Sequence, residues 1–294
     1  MQQDYEKLKG IIWYNGKVIK ASQAKLHVLS HSLHFASAVF EGIRVYNKQP
    51  FKLKKHIDRL FYSAKILDIK IPFSKKKIIS SCKIVVKKQN LNSGYLRPII
   101  WRGGQSMAPA ITNAKINVAI AGWKWPVYYS KSAKRKGISL NISKWKRPPN
   151  DCAPTQSKCS GLYMICTMAK HDAERKGFDD ALMLDLKKNI CETTSSNIFF
   201  IKKDRIITPK PENFLNGITR QEVIKICRIN KIKLVEKKIN FNELNGMEAC
   251  FVTGTAAEVT PIKKIGKKFF DTNNKLLTEI MKKFEKKINL KNVS

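Results

Sequence analysis

Asn15-Gly16 stands between two β-rich runs in IIWYNGKVIK, the two-residue turn signal of an antiparallel hairpin. The order of elements after this hairpin limits the fold more than any composition figure does. A second antiparallel pair is read in EGIRVYNKQPFKL, turning around Asn47 to Gln49. Apolar residues at 57, 60, 61, 64 and 67 of KKHIDRLFYSAKILDI then recur at helical spacing, and KKKIISSCKIVVKKQN fits a second amphipathic helix. YLRPIIWRGG and INVAIAGW read as strands. These segments make an α+β unit ending near Trp123, so the first domain is placed at residues 1–124.

The next stretch, WPVYYSKSAKRKG, is polar and basic with a proline at its head, and residues 125–137 are read as an interdomain loop. A second, larger domain over 138–294 follows. It opens with a strand in GISLNISKW, a loop at Pro148-Pro149, a helix from about Ser160 to Lys176 and a strand in ALMLD. After these come a hairpin in NIFFIKKDRIITP with its turn at Lys203-Asp204, a helix opening at Thr219, strands KLVEK, EACFVT and VTPIKKI, and a C-terminal helix. Neither an internal repeat nor a low-complexity segment beyond lysine enrichment is found.

Charge is the compositional feature that needs an argument. A net charge of +35 invites a nucleic-acid reading, because clustered cations release counterions from a phosphate backbone. The clustering is missing: ten of the 57 basic residues are arginine, and the 47 lysines are scattered along helix faces and turns. No RNP-type aromatic motif, zinc finger or basic zipper accompanies them, so no specific nucleic-acid partner is expected. The seven cysteines contain no C-x-x-C pair, MQQDYEKLKG has no signal-peptide character, and no apolar run reaches membrane length. A cytoplasmic protein with reduced thiols and no membrane partner is the expectation.

Three segments put polar groups where a strand or loop meets a helix or turn. In LNGITRQEVIKI, Gly217 precedes a helix whose first turn holds Ile218, Thr219 and Arg220. Unpaired N–H groups at a helix start suit a phosphate, although a glycine-entered helix capped by Thr219 would read the same way. In FVTGTAAEVTP a strand runs into Gly254-Thr255-Ala256-Ala257, where small residues let a ligand approach the backbone, or simply form a tight turn. In NICETTSSNIFF, Glu192 lies beside a hydrophobic strand, and a buried carboxylate needs a partner. A protonated ring nitrogen or any nearby lysine would serve. His27, His31 and His34 share a helical spacing, but no carboxylate joins them, and structural hydrogen bonding is preferred to a metal site. No metal is expected. Walker-A, G-x-G-x-x-G, H-E-x-x-H and G-x-S-x-G patterns are absent.

Taken together and in order, HSLHFASAVFEGIRVY, Arg59 in HIDRLFYSAK, GYLRP, SKCSGLY, ETTSSNIFF, LNGITR and TGTAAEVTP resemble the branched-chain amino-acid aminotransferases among the class IV, fold-type IV pyridoxal-phosphate enzymes. The resemblance runs from about residue 10 to 265. It implies the two-domain fold of the D-amino-acid aminotransferase type, with a small N-terminal α/β domain and a larger C-terminal α/β domain holding a barrel-like sheet. It implies pyridoxal 5'-phosphate as cofactor, with Lys158 bonded to it as an imine. A free lysine, with an unperturbed pKa of about 10.4, is protonated at neutral pH. Held as an imine and then released, the amine can carry the proton from substrate Cα to cofactor C4′.

The same resemblance assigns Glu192 to the pyridine nitrogen and Tyr163 to the phenolic oxygen. It gives the phosphate to Arg59, to the helix start at Gly217, Ile218 and Thr219, and to Gly254-Thr255. Thr255-Ala256 and the Tyr95 hydroxyl would meet the α-carboxylate. Phe35, Phe40, Gly42, Trp125 and Tyr128 or Tyr129 would shape the side-chain pocket. Arg97 would receive the distal carboxylate of glutamate, and Met107 would come from the partner subunit of a homodimer, with higher assembly left open. The implied reaction moves the amino group of leucine, isoleucine or valine to 2-oxoglutarate. Phe35, Ala36 and Ser196 depart from the family, which usually has tyrosine, glycine and often glutamate there; the transamination set is intact. A D-amino-acid aminotransferase or an aminodeoxychorismate lyase of the same fold is the nearest alternative, and VFEGIR with Tyr95 and Arg97 argues for the branched-chain group. A lysine-rich nucleic-acid-binding protein that has lost catalysis would have no need of Lys158, Glu192 and Arg59.

Overall fold

The chain is seen in a computed structural model that describes residues 4–125 and 128–289. It packs as two units. One holds the described residues up to 125 together with Ser157–Gly161, and the other holds residues 128–156 and those from Leu162 onward.

The first unit runs β1 (Ile11–Tyr14), β2 (Lys17–Lys20), α1 (His31–Phe35), β3 (Ala38–Phe40), β4 (Ile43–Tyr46), β5 (Gln49–Pro50), α2 (Leu53–Ile66), α3 (Lys75–Lys88), β6 (Gly94–Arg102) and β7 (Ile116–Lys124). Its sheet order is β2-β1-β7-β6-β4-β5, with β3 also paired to β6. The long strand β6 sorts its residues by period two. Leu96 and Ile100 are fully buried on one face, where Leu96 and Val85 of α3 crowd Gly122. Tyr95, Arg97, Ile99 and Trp101 alternate with them. β3 and β4 lie along the same edge of β6, pairing Phe40 with Ile99 and Ile43 with Leu96. The two residues between them, Glu41 and Gly42, are therefore fixed against β6, and the Glu41 N–H donates to the Pro98 carbonyl at 2.9 Å.

The second unit runs α4 (Lys131–Lys136), β8 (Ile138–Ile142), α5 (Tyr163–Arg175), β9 (Asp180–Leu184), β10 (Ile190–Thr193), β11 (Asn197–Lys202), β12 (Arg205–Pro209), α6 (Ile218–Ile229), β13 (Lys233–Lys237), β14 (Ala249–Gly254), β15 (Glu258–Ile265), β16 (Lys268–Phe269) and α7 (Lys275–Asn289). The sheet order is β10-β9-β8-β15-β14-β11-β12-β13, and pairing of β10 with β11 closes six of these strands into a barrel. Both faces of the barrel wall are covered, so β9 is apolar beyond its first residue. Leu182 and Leu184 join Phe200, Val252 and Ile262 in one cluster, while Ala181 and Met183 meet Cys166, Ala169 and Ala173 of α5. The barrel-like sheet expected of the larger domain is present.

Three expectations need correction. The segment read as an interdomain loop contains α4, although Pro126 and Val127 of that segment lie outside the described residues. KSAKRK has no apolar stripe to announce a helix; the turn is started by Ser130, whose hydroxyl accepts from the Ala133 N–H at 3.0 Å. The helical spacing of the three histidines is only partly realised: α1 is a single turn from His31 to Phe35, so His31 and His34 are helical and His27 is not. Lys158, placed by chain order in the second domain, packs with the first unit. Its N–H donates to Ser63 Oγ at 2.9 Å, its carbonyl accepts from the Phe40 N–H at 3.1 Å, and Cys159 bridges to Val39.

Candidate active site

In the first unit the site is built on a buried carboxylate. Glu41 is fully buried, and its two oxygens accept from Arg59 Nε at 2.6 Å and Nη2 at 2.9 Å, a bidentate fork. His56 Nδ1 is 2.7 Å from the same carboxylate and the Gly42 N–H is at 3.3 Å. Burial alone would raise the Glu41 carboxyl, but the Arg59 cation and then His56 hold it well below the usual carboxylate range. Burial lowers His56, with the Arg59 and Lys158 charges acting in the same direction against the pull of Glu41. A neutral imidazole donating to Glu41 satisfies both statements. Arg59 sits on α2, where the apolar positions 57, 60 and 64 face the core and leave 59 at its margin.

Lys158 Nζ lies 4.8 Å from the centre of the Phe40 ring, and Arg97 Cζ lies 4.8 Å from the same centre. One aromatic ring thus borders two cations. The segment carrying Lys158 is tied down on both sides: Ser157 Oγ donates to the Ser63 carbonyl at 3.1 Å and Ser160 Oγ to the Ala36 carbonyl at 2.9 Å. Tyr95 packs its hydroxyl over Gly42 so closely that a Cβ there would come within 1.8 Å of it. Trp125 packs on Tyr95 with ring centres 4.6 Å apart. Phe35 and Met107 are each 40% exposed, Phe35 resting on the His31 ring at 4.5 Å. His31 itself is buried between Ser37 Oγ at 2.8 Å and the Ala108 carbonyl at 3.1 Å, a structural role.

In the second unit Glu192 lies in β10 and is buried. Arg147 Nε is 3.4 Å from Oε1, and Asn197 Nδ2 donates to Oε2 at 3.3 Å. Burial would lower the Arg147 guanidinium, and the Glu192 carboxylate, together with Cys166, Tyr163 and Cys191, more than offsets it. Gly217 caps α6 in an extended conformation with no side-chain cap bond, so Thr219 lies inside the first turn and is not the cap. The N–H groups at Ile218 and Thr219 belong to the helix end that the i→i−4 ladder leaves open. Gly254 begins the turn between β14 and β15, where an added Cβ would meet Ser196 Oγ at 2.7 Å. Thr255 and Ala256 are partly exposed at that turn, and Tyr163 opens α5. Tyr128 packs edge-on against Tyr129 and lines a pocket of about 370 Å³ with Lys170, Glu174, Phe178 and Asp179, none of which the sequence had singled out.

Sequence reasoning missed Glu41, His56, Arg147 and Asn197. Glu41 was within reach, since an acid inside the apolar run AVFEGIRVY raises the question already asked of Glu192. Among the described residues no cluster of His, Cys, Asp or Glu could hold a metal, and no helix is long and apolar enough to cross a membrane. Arg220 pairs with Glu236 at 2.7 Å and braces Asn216 and the Pro209 carbonyl, while Arg44 lies over the Tyr46 ring.

The amino-transferase class IV family matches residues 38–265. The probable branched-chain-amino-acid aminotransferase of Rickettsia felis is 39% identical over 267 residues, covering 91% of this chain and 89% of that one. The branched-chain-amino-acid aminotransferase of Pseudomonas aeruginosa is 38% identical over 87% and 85% of the two chains. Among solved structures, a T.th. branched-chain amino acid aminotransferase with pyridoxamine 5'-phosphate superposes with a TM-score of 0.91 at 33% identity, over 96% of this chain and 94% of that one.

Proposed function

The chain belongs to the class IV aminotransferases and is a pyridoxal-phosphate-dependent enzyme of branched-chain amino acids; on that premise we propose that leucine, isoleucine and valine pass their amino group to 2-oxoglutarate through the residues assembled above. The residues fit the cofactor by their chemistry. A guanidinium fixed by Glu41 and a glycine-entered helix start suit a phosphate, and Gly217 and Gly254 stand where the backbone has no room for a Cβ. When bound, the cofactor supplies a ring that withdraws electrons from the substrate Cα.

Arg59, the N–H groups of Ile218 and Thr219, and Thr255 would hold the phosphate. Glu192, kept in place by Arg147, would hold the proton on the ring nitrogen, and Tyr163 would donate to the phenolic oxygen. Lys158 would hold the cofactor through its aldehyde carbon and, as a neutral amine, take the proton from the substrate Cα. Tyr95 and the backbone at Thr255-Ala256 would bind the α-carboxylate. Phe35, Phe40, Gly42 and Trp125 would shape the apolar pocket, with Tyr128 at its border. Arg97, whose Nε has no hydrogen-bond partner among the described residues, would take the distal carboxylate of glutamate.

A homodimer is part of this reading. Leu26, Val28, Leu29 and Leu33 are exposed together before and within α1, an apolar stretch that a second copy would cover, bringing Met107 to the partner's site. The cytoplasm is the proposed location.

The observation that carries the assignment is the burial of Glu192 in the barrel-closing strand with Arg147 Nε 3.4 Å from its carboxylate, an acid fixed where a protonated ring could meet it. The test is Lys158→Ala. The wild-type protein should bind the cofactor with visible absorbance that borohydride abolishes, and should use L-Leu, L-Ile and L-Val with 2-oxoglutarate; the variant should lose both. A colourless protein unaffected by added cofactor would overturn the cofactor roles. Use of D-Ala with no response to L-Leu would overturn the substrate claim alone.

A further inference from the structure

Asn197 makes contacts that none of the roles above uses. It faces Glu192 across the β10–β11 pairing that closes the barrel. Its Nδ2 donates to Glu192 Oε2 at 3.3 Å and to the Leu215 carbonyl at 3.0 Å, and its Oδ1 accepts from the Gly217 N–H at 3.0 Å. The amide orientation is dictated by these partners. Reversed, it would set its oxygen against a carboxylate and a carbonyl and its NH₂ against an N–H. Asn197 is 4% exposed, so these bonds form away from water. The fit to Gly217 is close: a Cβ at 217 would lie 2.2 Å from Asn197 Oδ1. One short side chain therefore holds a carboxylate on one side and clamps two backbone groups of the loop entering α6 on the other.

We propose that Asn197 is a positioning residue that fixes the ring-nitrogen acid and the phosphate-binding helix start relative to each other, so that one buried amide sets the distance between the protein groups that would hold the two ends of the cofactor. The inference rests on the proposed roles of Glu192 and of Gly217 to Thr219. The physical reason is that Leu215 and Gly217 lie in a loop outside the strand ladder, whereas Asn197 is inside it, paired with Thr253 and Glu192. The amide transfers the rigidity of the barrel to that loop. A strained or drifting loop would leave the N–H groups at Ile218 and Thr219 aimed away from the phosphate, even with Glu192 in place.

The experiment titrates the full-length protein, freed of cofactor, with pyridoxal phosphate and with pyridoxal. The ratio of the two affinities reports the phosphate end, and the penalty of Glu192→Gln on pyridoxal affinity reports the ring end. In Asn197→Ala the ratio should fall about tenfold, the scale of a lost buried hydrogen bond, and the Glu192→Gln penalty should shrink about fivefold, since contacting residues couple. Gly217→Ala, which pushes the amide aside from the loop, should likewise reduce the Glu192→Gln penalty. It serves if Asn197→Ala does not fold. A variant that only melts earlier, with ratio and penalty unchanged, would overturn the proposal and leave the roles of Glu192 and the helix start standing. If the wild type shows no preference for the phosphorylated form and Glu192→Gln has no penalty, those roles fall, and this one with them.

Discussion

Replacing Glu41 by glutamine tests the first unit at its most loaded point. The amide keeps the shape and one acceptor, but it removes the charge that faces the Arg59 fork at 2.6 and 2.9 Å and His56 at 2.7 Å. Glu41 is fully buried and the Arg59 side chain is 13% exposed, so the surviving guanidinium is left largely out of water without its anion. Removing one partner of a buried pair costs about 3–5 kcal/mol. At roughly 2–3 °C per kcal/mol for a chain of this size, Tm should fall by about 6–15 °C.

The pH dependence gives the experiment its second arm. The Glu41 carboxyl is depressed in the folded protein, so its contribution is fully present above the ordinary value of 4.5 and is lost as pH falls below it. Folded Glu41→Gln has no such group, and its stability should decline less steeply with acid in that range. Thermal unfolding followed by circular dichroism at about pH 7.5, 5.5 and 4 measures both effects, the last lying inside the window in which the unfolded carboxyl titrates. A Tm within about 1 °C of wild type at the highest pH would refute the reasoning, because a surface-like pair is worth only about 0–1 kcal/mol.

Two further outcomes follow from the same geometry. His56→Gln retains a neutral donor for Glu41 and removes a base whose folded pKa lies below the ordinary 6.5. Wild type should lose stability as pH falls through 6.5, where the unfolded imidazole takes up a proton, and the variant's unfolding curves should lack that loss. Ala36 sits at φ 51° as the cap of α1, in the left-handed region where an L side chain costs about 1–2 kcal/mol. Ala36→Gly should raise stability to denaturant by about 0.5–1 kcal/mol after the entropy of the unfolded glycine is counted, and a lower midpoint would refute the strain.

Much of the fold could be read from local pattern because local physics sets it. Asn15-Gly16 makes its hairpin, and the apolar positions of α2 and α3 face the core as their spacing requires. Reading failed where an element is created by its neighbours. β3 and β10 have three and four residues and exist because β6 and β9 offer edges. The segment around Lys158 follows Pro148-Pro149 in sequence, yet it is held by Ser63 and Val39, both far upstream in the chain. Asn197 had no visible role for the same reason. Its partners at 192, 215 and 217 come together through barrel closure and a loop, neither of which leaves a periodic trace.

Each unit contains a carboxylate held by an arginine and a neutral donor, and the distances separate the two in kind. Glu41 has no exposed surface and takes Arg59 at 2.6 and 2.9 Å with His56 at 2.7 Å. Contacts that short occupy both oxygens, and the acid serves to orient the arginine. Glu192 keeps 9% of its surface, and its contacts to Arg147 and Asn197 are longer, 3.4 and 3.3 Å. A carboxylate has about four acceptor sites, so at these distances Arg147 and Asn197 orient Glu192 more loosely than Arg59 and His56 hold Glu41. The same three kinds of group thus give a tight, fully buried cluster in the first unit and a looser one in the second.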